Sequence, residues 1–202
     1  MTARNFAAGA EKLGLCPEVQ AEGKTWRFIG IQAKNRKEWN IMHLANMYNK
    51  TTTIALYDTL GAEAARFVID ETEMTTIACS KDLVHKIVDM KQEDDKMPEA
   101  ERMLHRLKNI VCFESDCDTA QLESAEKCGL KVFSFDDVTA AGISHMAEYK
   151  PVEPQPDDCC VFSYTSGTTG NPKGVKLTQK GLLMSATSVM IRMKKYNVGL
   201  GD

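Results

Sequence analysis

The sequence lacks the features that mark several large classes of protein. None of its apolar runs approaches the ~18 residues of a membrane-spanning helix. Its formal net charge is −3, whereas nucleic-acid-binding domains usually carry a surplus of basic residues. We therefore expect no membrane span and no nucleic-acid partner, while a peripheral association with a membrane surface stays open.

A disulfide framework and a secretory leader are also missing. The seven cysteines are odd in number and include no CxxC pair. The amino-terminal stretch mixes Arg4, Glu11 and Lys12 with small residues, unlike a secretory signal. These features favour reduced thiols and a cytoplasmic location. The four histidines show no metal-ligand spacing, so the metal ligands stay unknown.

What the sequence does contain is an alternation of β-rich runs with helical patterns. Apolar, β-branched runs at 27–32, 51–57, 75–79, 109–113 and 131–135 are separated by stretches with helical spacing. Thr59 and Ser80 precede two of these stretches and are candidate N-caps. The rhythm predicts an α/β fold, with a mostly parallel sheet flanked by helices. The charged run 91–101 contains Pro98 and is predicted to be a solvated loop, and a short helix at its end stays open.

The stretch Tyr149–Asp158 interrupts this rhythm. It contains Pro151, Pro154 and Pro156, which favour an extended connector over a helix. We interpret residues 1–202 as one partial domain with this proline-rich connector at about 149–158. A domain boundary at the connector is the alternative.

The connector leads into a strand, a polar glycine-rich loop, a second strand and a long helix. Cys159–Tyr164 and Val175–Thr178 are the predicted strands, and Thr178 is the predicted N-cap of the helix. No acidic residue interrupts the loop between them. Its glycines, Gly174 included, can adopt positive φ and lack a Cβ, so backbone N–H groups can close on an anion. Hydroxyl groups and one lysine add further donors for phosphate oxygens. The candidate phosphate-binding residues are Thr165, Ser166, Gly167, Thr168, Thr169, Gly170 and Lys173.

Composition alone leaves a second interpretation open, a Gly/Ser/Thr hairpin that binds nothing. The loop is not a Walker loop, because Lys173 is followed by Gly174 and a strand rather than by Ser/Thr and a helix. A dinucleotide-binding fingerprint is excluded too, since no GxGxxG occurs.

The loop has a resemblance that favours the first interpretation. Tyr164-Thr-Ser-Gly-Thr-Thr-Gly-Asn-Pro-Lys-Gly-Val175 resembles the signature of the adenylate-forming, or AMP-binding, superfamily. The stretches 28–39 (FIGIQAKNRKEW) and 55–63 (ALYDTLGAE) are similar to the long-chain fatty acyl-CoA synthetase branch. The resemblance spans nearly the whole chain and implies part of the large N-terminal domain of such an enzyme.

Membership of that branch implies a two-step reaction. A long-chain fatty acid carboxylate attacks the α-phosphate of ATP, which yields acyl-adenylate and pyrophosphate, and the coenzyme A thiol then displaces AMP. The resemblance implies ATP, Mg²⁺ and coenzyme A as cosubstrates and cofactors. It places the β- and γ-phosphates on the loop from Thr165 to Gly170, with Lys173 neutralising their charge. It also favours the cytoplasm, or the surface of the endoplasmic reticulum or another lipid-handling membrane.

The chain departs from the family in length. The resemblance implies an adenine- and acyl-binding lobe, a Mg²⁺-binding acid, a ribose-binding aspartate and a catalytic lysine, and none of these has a counterpart here. We therefore assign no catalytic residue within this chain and expect the isolated chain to be inactive. The alternative is a non-catalytic truncated remnant that binds phosphate or a partner protein.

Overall fold

The computed structural model describes residues 2–57, 60–165 and 171–196. Helices and strands alternate along most of this length, as the sequence predicts. The helices are α1 (Thr2–Lys12), α2 (Lys37–Tyr48), α3 (Ala62–Thr72), α4 (Lys81–Asp95), α5 (Thr119–Lys127), α6 (Phe135–His145) and α7 (Gln179–Lys195). The strands are β1 (Glu18–Ala21), β2 (Lys24–Gln32), β3 (Thr52–Ala55), β4 (Thr76–Cys79), β5 (Asn109–Cys112), β6 (Lys131–Ser134), β7 (Cys159–Thr165) and β8 (Lys173–Thr178).

The strands form one sheet in the order β6-β5-β4-β2-β3-β7-β8, and β1 pairs with the first half of β2. The pairs from β6 across to β7 are all parallel, whereas β8 pairs with β7 and β1 pairs with β2 in antiparallel fashion. The prediction of a mostly parallel sheet flanked by helices is therefore confirmed. β1 is a strand that the sequence patterns did not predict.

Both faces of the central parallel strands β3, β4 and β5 are buried at nearly every position, as is typical of strands covered by helices on both sides. Ile77 of β4 and Ile110 of β5 lie in a core cluster with side chains of α3 and α4. Their chain neighbours Ala78 and Val111 point to the other face and join a second cluster with side chains of α1, α2 and α6. The two-residue period of a strand thus divides one short run between two cores.

Two glycines bring α1 and α6 into backbone contact. A Cβ at Gly9 would overlap the carbonyl of Val138, and a Cβ at Gly142 would overlap the carbonyl of Asn5. Neither glycine is among the described residues with positive φ. Their role is to remove side-chain volume so that the two helices can meet.

The prediction of a solvated loop at 91–101 is wrong for residues 91–95, which are helical. Helix α4 continues through Asp95, and Glu99–Glu101 forms a 3₁₀ turn. The carboxylate of Asp94 is fully buried and pairs with Arg66 at 2.8 Å. It also accepts hydrogen bonds from the backbone N–H groups of Met103 and Leu104, at 3.0 and 2.9 Å. The carboxylate of Asp94 can be buried within this charged run because distant groups satisfy it.

Other local predictions have mixed outcomes. Thr178 caps α7 as predicted, since its hydroxyl accepts from the Gly181 N–H at 3.1 Å. Ser80 occupies the N-cap position of α4 without a side-chain cap bond. Helix α3 is capped at Gly61 instead of Thr59, which lies outside the described residues. The stretch 149–158 contains neither helix nor strand.

A helix that crosses a bilayer needs about 20 mostly apolar residues. None of the described helices is long and apolar enough to cross a membrane.

Candidate functional site

The candidate loop is carried by the β7–β8 hairpin. Thr165 and Lys173 are direct partners in the antiparallel register, followed by the pair Tyr164 and Gly174. The Thr165 hydroxyl lies 3.5 Å from the carbonyl oxygen of Lys173. Two residues that the sequence assigns to phosphate binding therefore face each other where the loop leaves the sheet.

The middle of the loop, comprising Ser166, Gly167, Thr168, Thr169 and Gly170, lies outside the described residues. Its role in phosphate binding stays a prediction.

The position of the hairpin in the sheet is favourable for ligand binding. β7 runs parallel to β3, with Ile54 opposite Phe162 and Ala55 opposite Ser163. The loop therefore leaves β7 at the edge where the carboxyl ends of the parallel strands lie. This is the edge at which open α/β sheets bind their ligands.

Lys173 is exposed at the start of β8. Within the described parts of the chain its ammonium group forms no ion pair. An exposed, uncommitted cation beside a loop without acids can neutralise the charge of a bound phosphate.

Lys176, three residues further along β8, faces a different environment. Its ammonium nitrogen lies 5.2 Å from the ring centroid of Trp26 and 5.7 Å from that of Phe162. It also pairs with Glu22. Two aromatic faces and a carboxylate therefore hold this charge beside the hairpin. The signature singles out Lys173 and gives no role to Lys176, whose contacts come from distant parts of the chain.

Beneath the hairpin lies a contact that sequence reasoning missed. Tyr164 is 4% exposed, and its hydroxyl donates to Glu71 Oε2 of α3 at 2.6 Å. Burial, together with this hydrogen bond to a carboxylate, raises the pKa of Tyr164, so the phenol stays protonated and remains a donor.

The ring of Tyr164 also explains Gly174. A Cβ at Gly174 would lie 3.2 Å from Tyr164 Cζ and 3.3 Å from Cε1. Positive φ, which the sequence analysis allowed for Gly174, is found among the described glycines at Gly14, Gly23 and Gly129. Gly174 therefore makes room for the Tyr164 ring and does not provide an unusual backbone conformation.

A second polar cluster lies at the same edge of the sheet. Arg36, at the start of α2, pairs with Glu38 at 2.6 Å and with Glu114, which follows β5. Glu114 also accepts from the Lys81 backbone N–H at 2.7 Å. One guanidinium is thus shared by two carboxylates, and the cluster joins the loops at this edge of the sheet.

The carboxylates near the site do not form a metal centre. Among the residues that the structure describes, no group of three or more His, Cys, Asp or Glu side chains is arranged to hold a metal ion. The hairpin stem offers the Thr165 hydroxyl and the Lys173 ammonium, and a cation is a poor neighbour for Mg²⁺. We therefore assign no Mg²⁺ ligand among the described residues.

Comparison with known proteins places this fold and loop in one family. Residues 2–202 match the family described as AMP-binding enzyme. The chain therefore belongs to the AMP-binding enzyme family.

Relatives of this chain include fatty acyl-CoA ligases. The chain is 31% identical to fatty acyl-CoA synthetase B of Dictyostelium discoideum, over 94% of this chain and 25% of that protein. It is 37% identical to human long-chain-fatty-acid–CoA ligase 6, over 76% of this chain and 21% of that protein. The chain thus spans about a quarter of the length of the curated relatives that it matches.

A solved structure supports the fold. The adenylation domain of a carboxylate reductase from Mycobacterium chelonae superposes with a TM-score of 0.70 at 21% identity, covering 89% of this chain and 26% of that one. At this identity the likeness concerns the fold.

Proposed function

We propose that this chain supplies the ATP phosphate-binding part of an enzyme that activates long-chain fatty acids. The observation that carries the proposal is the signature Thr165–Gly174, mounted on a hairpin at the ligand-binding edge of a parallel sheet, in a member of the AMP-binding family. The fatty acyl-CoA ligases among the relatives support the choice of acid.

In the proposed reaction, a fatty acid carboxylate oxygen forms a bond to the α-phosphorus of ATP, and pyrophosphate leaves. The coenzyme A thiol then attacks the acyl carbon, loses its proton and displaces AMP. The role of this chain lies in the first step. Thr165 and the loop that follows hold the β- and γ-phosphates, and Lys173 neutralises the charge that develops on the leaving pyrophosphate. Mg²⁺ would add further neutralisation through groups not assigned here.

Replacement of Lys173 by alanine tests this role in the complete gene product. Loss of one charge-assisted contact should slow adenylation by about ten- to a hundredfold, corresponding to roughly 1.5–3 kcal/mol. Thioester formation from preformed acyl-adenylate should be unchanged, because pyrophosphate has already left. ATP–pyrophosphate exchange measures the first step, and acyl-CoA formation from added acyl-adenylate measures the second.

Lys180→Ala is the matched control, since Lys180 is an exposed lysine of the neighbouring helix α7. Unchanged exchange in Lys173→Ala, or equal losses in both variants, would exclude the proposed role of Lys173.

We further propose that the 202 residues alone do not ligate fatty acid to coenzyme A. Catalysis requires nucleophile, electrophile and counter-charges to be fixed together, and such positioning can contribute ~7–11 kcal/mol. Incubation of the purified chain with ATP, Mg²⁺, coenzyme A and palmitate, followed by measurement of AMP and acyl-CoA, tests this directly. Turnover above that of a heat-treated sample would contradict it. A cytoplasmic location and an association with lipid-handling membranes stay predictions.

The second candidate is a non-catalytic remnant that binds phosphate or a partner protein. It is favoured if the complete gene product shows no exchange while the same protein still binds inorganic pyrophosphate.

A further inference from the structure

The Tyr164 side chain of β7 packs against β8 beneath the candidate loop. Tyr164 immediately precedes Thr165, and its cross-strand partner Gly174 immediately follows Lys173. The Tyr164 ring lies against Gly174 so closely that even a methyl group there would crowd it. Tyr164 thus belongs to one stem of the loop and contacts the other stem at Gly174. Each of these two residues is the chain neighbour of a described site residue, Thr165 or Lys173.

The hydroxyl end of Tyr164 is fixed by a different part of the chain. Glu71 lies in the last turn of α3, where the negative end of the helix dipole disfavours a carboxylate. The 2.6 Å hydrogen bond from the Tyr164 hydroxyl compensates this carboxylate and is of the strong, charge-assisted kind. Since Val68, Ile69 and Thr72 of α3 are buried, the acceptor is mounted on a helix that packs firmly against the sheet.

The surroundings of the ring limit how it can move. Tyr164 belongs to the core cluster that includes Val68 and Phe162, and Phe162 packs against Trp26 and Phe28 at centroid distances of 5.4 and 5.5 Å. The ring is thus confined on its apolar sides, and the hydrogen bond to Glu71 determines where its far end lies. The ring contacts Gly174, the chain neighbour of Lys173, so this is the place at which a shift of the ring would act on β8.

We propose that Tyr164, anchored by Glu71, is a positioning residue that sets the spacing of the two stem strands and thereby the affinity of the loop for the ATP phosphates. The inference rests on the proposed function for its ligand. It assigns no contact between Tyr164 and the nucleotide, because the hydroxyl points away from the loop, toward α3.

The test uses the complete gene product and variants that separate the hydrogen bond from the bulk of the side chain. Tyr164→Phe keeps the ring and removes the donor, while Glu71→Ala removes the acceptor. Glu71→Gln retains an acceptor and serves as the conservative rescue. Tyr149→Phe is the matched control, because the Tyr149 hydroxyl donates a 2.6 Å hydrogen bond to Asn49 in the other core and does not contact the hairpin.

Two measurements are made on each variant. One is the KM for ATP in ATP–pyrophosphate exchange, alongside the KM for the fatty acid. The other is amide hydrogen exchange at β7 and β8 without nucleotide. We expect Tyr164→Phe and Glu71→Ala to raise the KM for ATP by about three- to tenfold, the effect of one hydrogen bond. The KM for the fatty acid should be unchanged, amide exchange in both strands should be faster, and Glu71→Gln and Tyr149→Phe should resemble wild type in both measurements.

Each other outcome overturns the proposal in a distinct way. Faster amide exchange with an unchanged KM for ATP would make Tyr164 a structural residue only. A raised KM with unchanged amide exchange would mean that it acts on the nucleotide by another route. If wild type catalyses no ATP–pyrophosphate exchange, the proposed function fails and the assigned ligand fails with it. The amide exchange data would then still show whether the anchor holds the hairpin.

Discussion

The central strands β3 and β4 differ from the strand β8 and helix α7 in how deeply their residues are buried. β3 and β4 are buried at every position, with helices on both faces of the sheet. In β8, by contrast, the first five residues are exposed, and α7 has no buried residue. We call the strands β2–β6 with their flanking helices the platform, and β7, β8 and α7 the hairpin segment. The buried platform carries most of the stability of the fold, whereas the hairpin segment carries the candidate site.

The contrast is sharpest in the helices. Ile87 of α4 is 1% exposed, whereas Ile191 of α7 is 65% exposed. Leu183 and Met190 of α7 are exposed to 69% and 65%. Along α7 the hydrophobic effect therefore contributes little to the stability of the chain as described. The hairpin keeps its place through a few specific contacts, of which the Tyr164–Glu71 hydrogen bond is one. Substitutions in the two regions should accordingly differ in cost.

The largest effect is expected for Asp94→Ala in the platform. The substitution leaves Arg66 without its buried partner, and the backbone N–H groups of Met103 and Leu104 lose their acceptor. Loss of one partner of a buried ion pair typically costs about 3–5 kcal/mol. Urea denaturation measures the free energy of unfolding.

The control is Asp89→Ala, an exposed aspartate on the same helix, which should change stability by less than about 0.5 kcal/mol. Equal effects of the two substitutions would show that the charge of Asp94 is not buried in solution.

The next largest effect on stability is expected for a glycine-to-alanine substitution in α1, which is compared with the same substitution in α7. Gly9→Ala should destabilise the protein by about 1–3 kcal/mol, because the new methyl group overlaps the α6 backbone. This cost outweighs the gain of up to ~1 kcal/mol that alanine brings to a helix.

Gly181→Ala in α7 is the matched change. Within 4 Å its Cβ would meet the Thr178 hydroxyl oxygen, at 3.3 Å. It should therefore alter the free energy of unfolding by less than about 1 kcal/mol. Thermal denaturation of both variants provides the comparison. A stabilised Gly9→Ala variant would mean that α1 and α6 do not meet as described.

The smallest effect is expected for Ile191→Ser in α7. Because the side chain is mostly exposed, its removal should change stability by about 0.5 kcal/mol or less. Ile87→Ser in α4 should cost at least the roughly 2–5 kcal/mol of a large-to-small core substitution. Similar losses in the two variants, measured by urea denaturation, would remove the distinction between platform and segment.

Local patterns predicted the elements of this fold well, since a strand or helix is a short-range periodicity. The β-rich runs became β2 to β6, and Thr178 caps α7 as its position before a helical stretch indicates. The signature also predicted a loop between two strands, and its stem lies there. The charged run at 91–96 shows the limit of such patterns, because the burial of Asp94 depends on Arg66, 28 residues away.

By itself, the sequence determined the α/β class, the position of the candidate loop and the family signature, because each depends on residues close together in the chain. The tertiary structure alone decided the strand order, the contact of α1 with α6 and the contacts of Lys176 with Trp26, Phe162 and Glu22. It also joined Tyr164 to Glu71, 93 residues away. These contacts join residues far apart in the chain, so they depend on the strand order and on the path of the connections. Neither the periodicity nor the composition of the sequence shows which distant side chains will meet.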